Sequence, residues 1–416
     1  MSAPARVGIA GLGTVGWAVA RELAERVPAA ELVVALVRDP SRHLEQARSL
    51  GPATVLTADP ADLLGAGCDV VVECTGDVAL ARRVAHATLA RGAGVVTASK
   101  QCLAAHGPEL QRLAGRHRAP LRFEAAVGGG MPVISVLSGA LRADRVQRLA
   151  AVLNGTTNLV LDRMTAGDSL DDALRSARAQ GLAEADASQD VDAHDPVAKL
   201  VILAAVVWGG WPAVADVARC GIGELDPADL RVAAGLGYAV RLVARAEAEG
   251  AGVALAVEPT LVPRDHPLAQ VRGAGNAVVI ESDLAGRTVV TGTGAGAAPT
   301  ASAMLSDLIL VLADRQRGAA PAPLAARLTI AAPRPTRAVW RLGAGDGRPD
   351  ELAAAADLSA CGLTAGRLSG DRAGPASTAC LVVTAPATAA ERAAAAVALA
   401  WRGGYAVHSC LPILEP

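Results

Sequence analysis

The chain has 416 residues, with 39 Lys plus Arg against 41 Asp plus Glu and a formal net charge of −2. That length calls for two or three domains, and the balanced charge excludes the broad basic footprint of a nucleic-acid binder. The seven cysteines (Cys68, Cys74, Cys102, Cys220, Cys361, Cys380, Cys410) show no paired C-x-x-C spacing, so neither a zinc site nor a disulfide framework is expected, and a reducing cytoplasm is the natural setting. No charged segment followed by an apolar one opens the chain. The most apolar helix candidate, residues 197–208, holds Lys199 and is too short to span a bilayer. A small-molecule substrate is expected, with neither nucleic acid nor membrane as partner.

Residues 7–19 read as an apolar strand, a turn with Gly11, Gly13 and Gly16 in G-x-G-x-x-G spacing, and the start of a helix running to Arg26. In that context the glycines form a dinucleotide-binding fingerprint. Gly11 permits the tight turn, Gly13 lets the backbone approach a pyrophosphate, Gly16 lets helix pack on strand, and the helix N-terminus offers amides to the phosphates. The bland alternative is a glycine-rich turn at the edge of an ordinary α/β domain. The next strand, residues 32–37, ends at Arg38-Asp39, where the ribose-reading residue belongs. Asp39 would suit a 2′-hydroxyl and Arg38 a 2′-phosphate; the pattern leans to NADP, with NAD as the alternative.

Further strands at residues 70–73 and 94–98 continue the alternation of a doubly wound parallel sheet. Thr97-Ala98-Ser99-Lys100 then puts an ammonium at the carboxyl edge of that sheet, where open α/β folds bind ligands; an exposed surface lysine is the competing reading. Gly128-Gly129-Gly130-Met131-Pro132 is bare enough to turn sharply or approach a ligand and marks a change of domain. Asn154-Gly155-Thr156-Thr157-Asn158 offers amides and hydroxyls suited to a substrate carboxylate, or is simply a turn.

The densest chemistry lies at residues 181–199, where Glu184, Asp186, Asp190, Asp192 and Asp195 precede Lys199 in front of an apolar helix. A helix starting at Pro196 would place Asp195 and Lys199 about one turn apart, able to bind an amine or hydroxyl and move a proton. Asp195 could instead cap the helix, and His194, with no paired ligand, reads as a polar neighbour or a group that tunes a proton.

Taken together, Gly-Leu-Gly-Thr-Val-Gly, Val-Thr-Ala-Ser-Lys, Glu-Ala-Ala-Val-Gly-Gly-Gly-Met-Pro, Asn-Gly-Thr-Thr-Asn and the Glu184 to Lys199 block resemble homoserine dehydrogenase over about residues 5 to 315. The resemblance implies reversible hydride transfer between NAD(P)H and a carbonyl, interconverting L-aspartate 4-semialdehyde and L-homoserine on the route to threonine and methionine. It implies Lys199 as the acid/base and Lys100 beside the nicotinamide and the reacting oxygen. Glu184 and Asp195 would hold homoserine, with Gly155 and Thr156 lining its site. Cofactor contacts carry over to Thr14, Val15, Lys100, Gly181 and Gly296. A monovalent cation, sodium, carries over to Glu124, Val127, Gly129 and Met131, whose hard oxygen ligation suits it. The family pattern has Asn at Ser99, Pro at Ala187 and Gly-Leu at Ala193-His194, and Pro196 is unusual there. These departures leave two alternatives: a related oxidoreductase acting on a similar amino-acid aldehyde or alcohol, and a non-catalytic regulator.

The expected organisation is a Rossmann domain at residues 1–130, completed by a returning helix near 297–315, and an α+β catalytic and dimerisation domain at 131–296. A linker at 317–336 and a ferredoxin-like βαββαβ domain at 337–416 follow. The last resembles the ACT domain of bacterial homoserine dehydrogenases, which senses an end product such as threonine. Here the usual acidic-Pro-Gly turn after its first strand is replaced by Gly343-Ala344-Gly345-Asp346-Gly347-Arg348-Pro349, which argues against effector binding and for oligomer contacts. A homodimer or homotetramer is expected by analogy.

Overall fold

The computed structural model describes residues 3–50, 54–317, 327–344, 354, 356, 358, 365–367, 379–388, 391–392, 394–396 and 405–414. The chain divides into two compact units that cut across its linear order: residues 1–146, 198–216 and 281–329 form the first, and 147–197, 217–280 and 330–416 the second.

In the first unit, apolar runs of β-branched residues form six parallel strands: β1 (Ala5–Ala10), β2 (Ala30–Leu36), β3 (Val55–Thr57), β4 (Val70–Glu73), β5 (Gly94–Thr97) and β6 (Leu121–Arg122). They lie in the order β3-β2-β1-β4-β5-β6, the doubly wound Rossmann arrangement with its switch point between β1 and β4. Near-continuous apolar sequence fits strands covered on both faces: Val7, Ile9, Val70, Val71, Val72, Val95 and Val96 are all fully buried. The helix Ala297–Arg317 returns to this unit. It is long and apolar enough to span a bilayer by composition, but Met304, Leu308 and Val311 are fully buried in the same core as Val7 and Val70, the packing of a core helix.

The second unit holds β7 (Val146–Val152), β8 (Ala218–Arg219), β9 (Tyr238–Glu249), β10 (Gly252–Pro263) and most of β11 (Gly275–Ser282), in the order β11-β7-β9-β10-β8; β12 (Gly286–Thr293) falls within the first unit. The long β9–β10 hairpin pairs antiparallel from Gly252↔Glu249 to Pro263↔Tyr238. A second, four-stranded sheet follows, of β13 (Thr336–Ala344), β14 (Ala365–Arg367), β15 (Ala379–Ala387) and β16 (Tyr405–Pro412), in the order β14-β15-β13-β16 and antiparallel throughout. With residues 354, 356, 358, 391, 392 and 394–396 helical, that is the strand order of a ferredoxin-like βαββαβ fold. Of the expected linker, residues 318–326 lie outside the described residues, as do Gly345 to Pro349 of the turn after β13.

Two contacts within this unit join the small sheet to β10. Leu261 bridges Ile413 in parallel, and the Leu414 amide donates to the Leu261 carbonyl at 2.9 Å. Ion pairs reinforce them. Arg341 Nε on β13 lies 2.5 Å from Asp229 Oδ1, with side chains 13% and 0% exposed, and Arg392 Nη2 lies 3.4 Å from Glu258 on β10, which also pairs with Arg245.

Candidate active site

The phosphate-binding turn between β1 and the helix Thr14–Arg26 is built as its glycines require. Gly11 sits at φ +95°, a left-handed conformation that only glycine adopts freely. A Cβ on Gly16 would stand 1.8 Å from the Gly11 carbonyl oxygen, so no larger residue lets helix meet strand. Gly13 is the N-cap, leaving the helix amides of Thr14 and Val15 to face an anion. The Cys74 thiol donates to the Gly11 carbonyl at 3.3 Å, and burial pushes its pKa well above the ordinary thiol value.

At the end of β2, Arg38 is exposed while Asp39 is committed to its own chain. Asp39 Oδ1 accepts from the Ser41 hydroxyl at 2.6 Å and the Ser41 amide at 3.0 Å, and Oδ2 lies 3.3 Å from Arg42 Nε. The Ser41 hydroxyl, then its amide, hold the Asp39 carboxyl below the usual range.

At the switch point, the fully buried Glu73 carboxylate accepts from Thr97 Oγ1 at 2.6 Å and from the Thr75 amide and hydroxyl, each at 2.8 Å. Thr97 Oγ1 in turn accepts from the Ser99 amide at 3.0 Å. This network fixes the turn that ends in Lys100, the first residue of the helix Lys100–His117.

The loop expected to hold a cation also lies in the first unit. Gly128 and Gly129 have φ of +75° and +57°, and a Cβ on Gly129 would stand 2.7 Å from the Gly294 carbonyl oxygen. The Glu124 carboxylate is already engaged, accepting from the amides of Ile134 at 2.9 Å and Ser135 at 2.8 Å and from the Ser135 hydroxyl. What the set can offer a hard cation is the carbonyl oxygens of buried Val127 and Met131 and of Gly129, with Met131's also accepting from Val133 at 2.8 Å. Among the described residues no cluster of three His, Cys, Asp or Glu could hold a metal ion. The Glu124 amide donates to Asp307 Oδ2 at 2.7 Å, and burial pushes Asp307 up to about 7. Gly296, at φ +125°, ends the run before the helix Ala297–Arg317.

In the second unit, three polar side chains distant in sequence meet. Asn154 caps the helix Gly155–Ala166, its Oδ1 accepting from the Thr157 amide at 2.8 Å. Its Nδ2 donates to Asp190 Oδ1 at 2.6 Å and to Asp195 Oδ2 at 2.9 Å. Gly155 is packed so that a Cβ would lie 2.9 Å from Ala274 Cα; the Thr156 hydroxyl donates to the Leu182 carbonyl at 2.6 Å. Gly181, at φ +70°, and Glu184 are exposed.

The helix bearing Asp195 and Lys199 is His194–Trp208, so it starts two residues earlier than the Pro196 signal suggests. Ala193 at φ +63° turns the chain into it, and Pro196 sits within the first turn, where its missing N–H costs nothing. Asp195 is therefore inside the helix rather than at its cap, 6% exposed against 8% for Lys199. His194 Nε2 faces the Arg219 guanidinium at 2.8 Å, where it accepts, and Arg219 also donates to the Asp192 carbonyl at 2.6 Å; the histidine is a polar neighbour.

Glu73, Asn154, Asp190 and Asp307 were not singled out as site residues by sequence reasoning. Asn154 carried a usable signal, an N-capping residue followed by Gly-Thr-Thr, and Asp190 lay in the acidic run before Lys199; Glu73 and Asp307 carried none.

Two family models match the chain. The family described as "Homoserine dehydrogenase, NAD binding domain" matches residues 11–124 and "Homoserine dehydrogenase" matches residues 132–309. A homoserine dehydrogenase of Neisseria gonorrhoeae is 37% identical over 314 residues, 74% of this chain and 72% of the relative. The crystal structure of a homoserine dehydrogenase from Thiobacillus denitrificans superposes with a TM-score of 0.88 at 32% identity, covering 99% of this chain and 98% of that one. A hyperthermophilic archaeal homoserine dehydrogenase in complex with NADPH superposes with a TM-score of 0.65 at 30% identity, covering 75% and 98%.

Proposed function

From the premise that the chain belongs to the homoserine dehydrogenase family, an NAD(P)-dependent oxidoreductase interconverting L-aspartate 4-semialdehyde and L-homoserine, we propose how its residues divide the work. Bound nicotinamide supplies the hydride in reduction and takes it in oxidation. Lys199 gives the aldehyde oxygen its proton and recovers it in the reverse direction, as a positioned general acid/base. Lys100, held by the Glu73–Thr97–Ser99 turn, sets a second cation against the same oxygen. Asp195 and Glu184 bind the substrate ammonium. The amides of Gly155 and Thr156, at a helix N-terminus, receive its carboxylate.

The cofactor lies along Gly11, Gly13, Thr14, Val15 and Gly16, with Gly181 and Gly296 contributing backbone. NADP is the preferred form, because Arg38 is exposed while the Asp39 carboxylate is spent on Ser41 and Arg42; the NADPH held by the archaeal relative agrees. Sodium, where bound, takes carbonyl oxygens of Val127, Gly129 and Met131, with Glu124 contributing through its backbone because its carboxylate is engaged. The enzyme works in the cytoplasm as a homodimer or homotetramer, and the ACT-like domain serves oligomer contacts.

The observation that carries this reading is the buried Asp195–Lys199 helix turn, with Asp195 tied to the cap of the helix that begins at Gly155. Initial rates of L-homoserine oxidation with NADP⁺ and NAD⁺ in parallel, with Lys199→Ala as control, test it. Turnover that disappears in Lys199→Ala, with NADPH still bound, is the expected result. Turnover retained by the variant removes Lys199 as the acid/base, and no turnover by the wild type favours the alternative of a related aldehyde or alcohol, which the departures at Ser99, Ala187, Ala193 and His194 motivate.

A further inference from the structure

We propose that Asn154 is a positioning residue for the substrate-binding carboxylates, a role separate from its capping of the helix Gly155–Ala166. This inference rests on the reading above, in which Asp195 holds the substrate ammonium. The amide orientation follows from the donors around it. The Thr157 amide can only donate, so it fixes Oδ1 as the acceptor at 2.8 Å. That leaves both N–H groups of Nδ2 pointing away from the helix, one to Asp190 Oδ1 at 2.6 Å and one to Asp195 Oδ2 at 2.9 Å. One nitrogen thus joins three elements: the cap of the helix Gly155–Ala166, the short helix Ser188–Val191 and the first turn of the helix His194–Trp208.

Asn154 and Asp195 are 5% and 6% exposed, so this bridge is largely out of water, where charge-assisted bonds are strong and unsatisfied groups costly. Two carboxylates sharing one nitrogen repel each other, and two N–H dipoles aimed between them offset that repulsion while fixing the orientation of both carboxylates. A residue serving only as a cap needs an acceptor and no donor. Ser, Asp and Asn cap about equally well, whereas among the three only Asn can also donate to both carboxylates.

Two variants separate the roles. Asn154→Ser keeps a capping oxygen and loses the bridge; Asn154→Asp keeps the cap and replaces both donors by a third carboxylate. Thermal unfolding, NADPH affinity, and kcat and KM for L-homoserine are measured for the full-length protein. The expected result is NADPH affinity close to wild type in both, with a thermal midpoint lowered by loss of the buried bridge, more so in Asn154→Asp, where a third carboxylate joins the other two. KM for homoserine rises about tenfold or more, as loss of charge-assisted hydrogen bonds predicts, with kcat changed less than KM, and Asn154→Asp is impaired at least as much as Asn154→Ser. A homoserine KM within about twofold of wild type in Asn154→Ser would overturn the proposal, as would full recovery in Asn154→Asp, since either leaves only the cap. Absence of homoserine turnover in the wild type is a different failure, one that removes the assigned reaction.

Discussion

Replacing Arg341 by methionine removes a cation from beside the fully buried Asp229 carboxylate. The Arg341 and Asp229 side chains are 13% and 0% exposed and their charged atoms lie 2.5 Å apart; the remaining Asp229 oxygen accepts from the Asp226 amide at 3.0 Å, closing the capping box of the helix Pro227–Gly235. Removing one partner of a buried pair costs about 3–5 kcal/mol, because the other charge stays uncompensated. The surviving Asp226 bond puts this case near the lower end, about 3 kcal/mol. In a cooperative unit of about 200 residues that corresponds to a fall in the thermal midpoint of about 6–12 °C. Methionine roughly preserves the stem volume, so little of the loss comes from packing. Adding Asp229→Asn, which removes the buried charge but keeps an acceptor for Asp226, is expected to recover a large part of the stability, a non-additive cycle. Thermal unfolding followed by circular dichroism measures both. A midpoint shift under about 2 °C for Arg341→Met, or simple additivity in the double variant, would refute the view that a buried charge pair fastens the small sheet to the helix Pro227–Gly235.

Three further outcomes are expected. Arg38→Ala raises KM for NADP⁺ about tenfold through loss of a charged contact to the 2′-phosphate and leaves KM for NAD⁺ within about threefold; equal effects on both cofactors would place Arg38 away from the adenosine ribose. Burial raises the Asp307 carboxyl from the ordinary 3.8 to about 7, so its stabilising contribution is complete below the lower value and is lost as pH rises through the upper one. Asp307→Asn, which keeps an acceptor for the Glu124 amide, should gain stability relative to wild type over that window, by up to a few kcal/mol, and chemical denaturation at pH 5 and pH 8 tests the sign. Ala193→Val, forcing a β-branched residue to φ +63° in a fully buried position, should cost more than about 2 kcal/mol. Ala193→Gly should stay within about 1 kcal/mol of wild type, since relief of strain is offset by unfolded-state entropy and a lost methyl contact.

The nucleotide-binding sheet was legible because its signals are local: a glycine spacing between a strand and a helix, then apolar runs at regular intervals. The ferredoxin-like order of the small sheet followed for the same reason. The start of the helix carrying Lys199 was misplaced by two residues because Pro196 resembles a first helical position, whereas the turn is made at Ala193, a residue type that seldom takes positive φ. Partnerships across long separations left no trace in the sequence. Asn154 and Asp195 are 41 residues apart, and Asp307 reaches the Glu124 amide across 183, so neither pairing follows from periodicity or capping patterns. Asp39, legible as a ribose contact by position, is claimed by Ser41 and Arg42, a contest between neighbours that only geometry decides.

The seam between Leu261 and residues 413–414 has a consequence for synthesis. A ribosome delivers β10 about 150 residues before the segment that pairs with it, so this flank of the sheet waits uncovered until the residues of that seam emerge. During that interval the nascent chain presents an unpaired stretch of strand, the kind of surface that invites chaperones or aggregation.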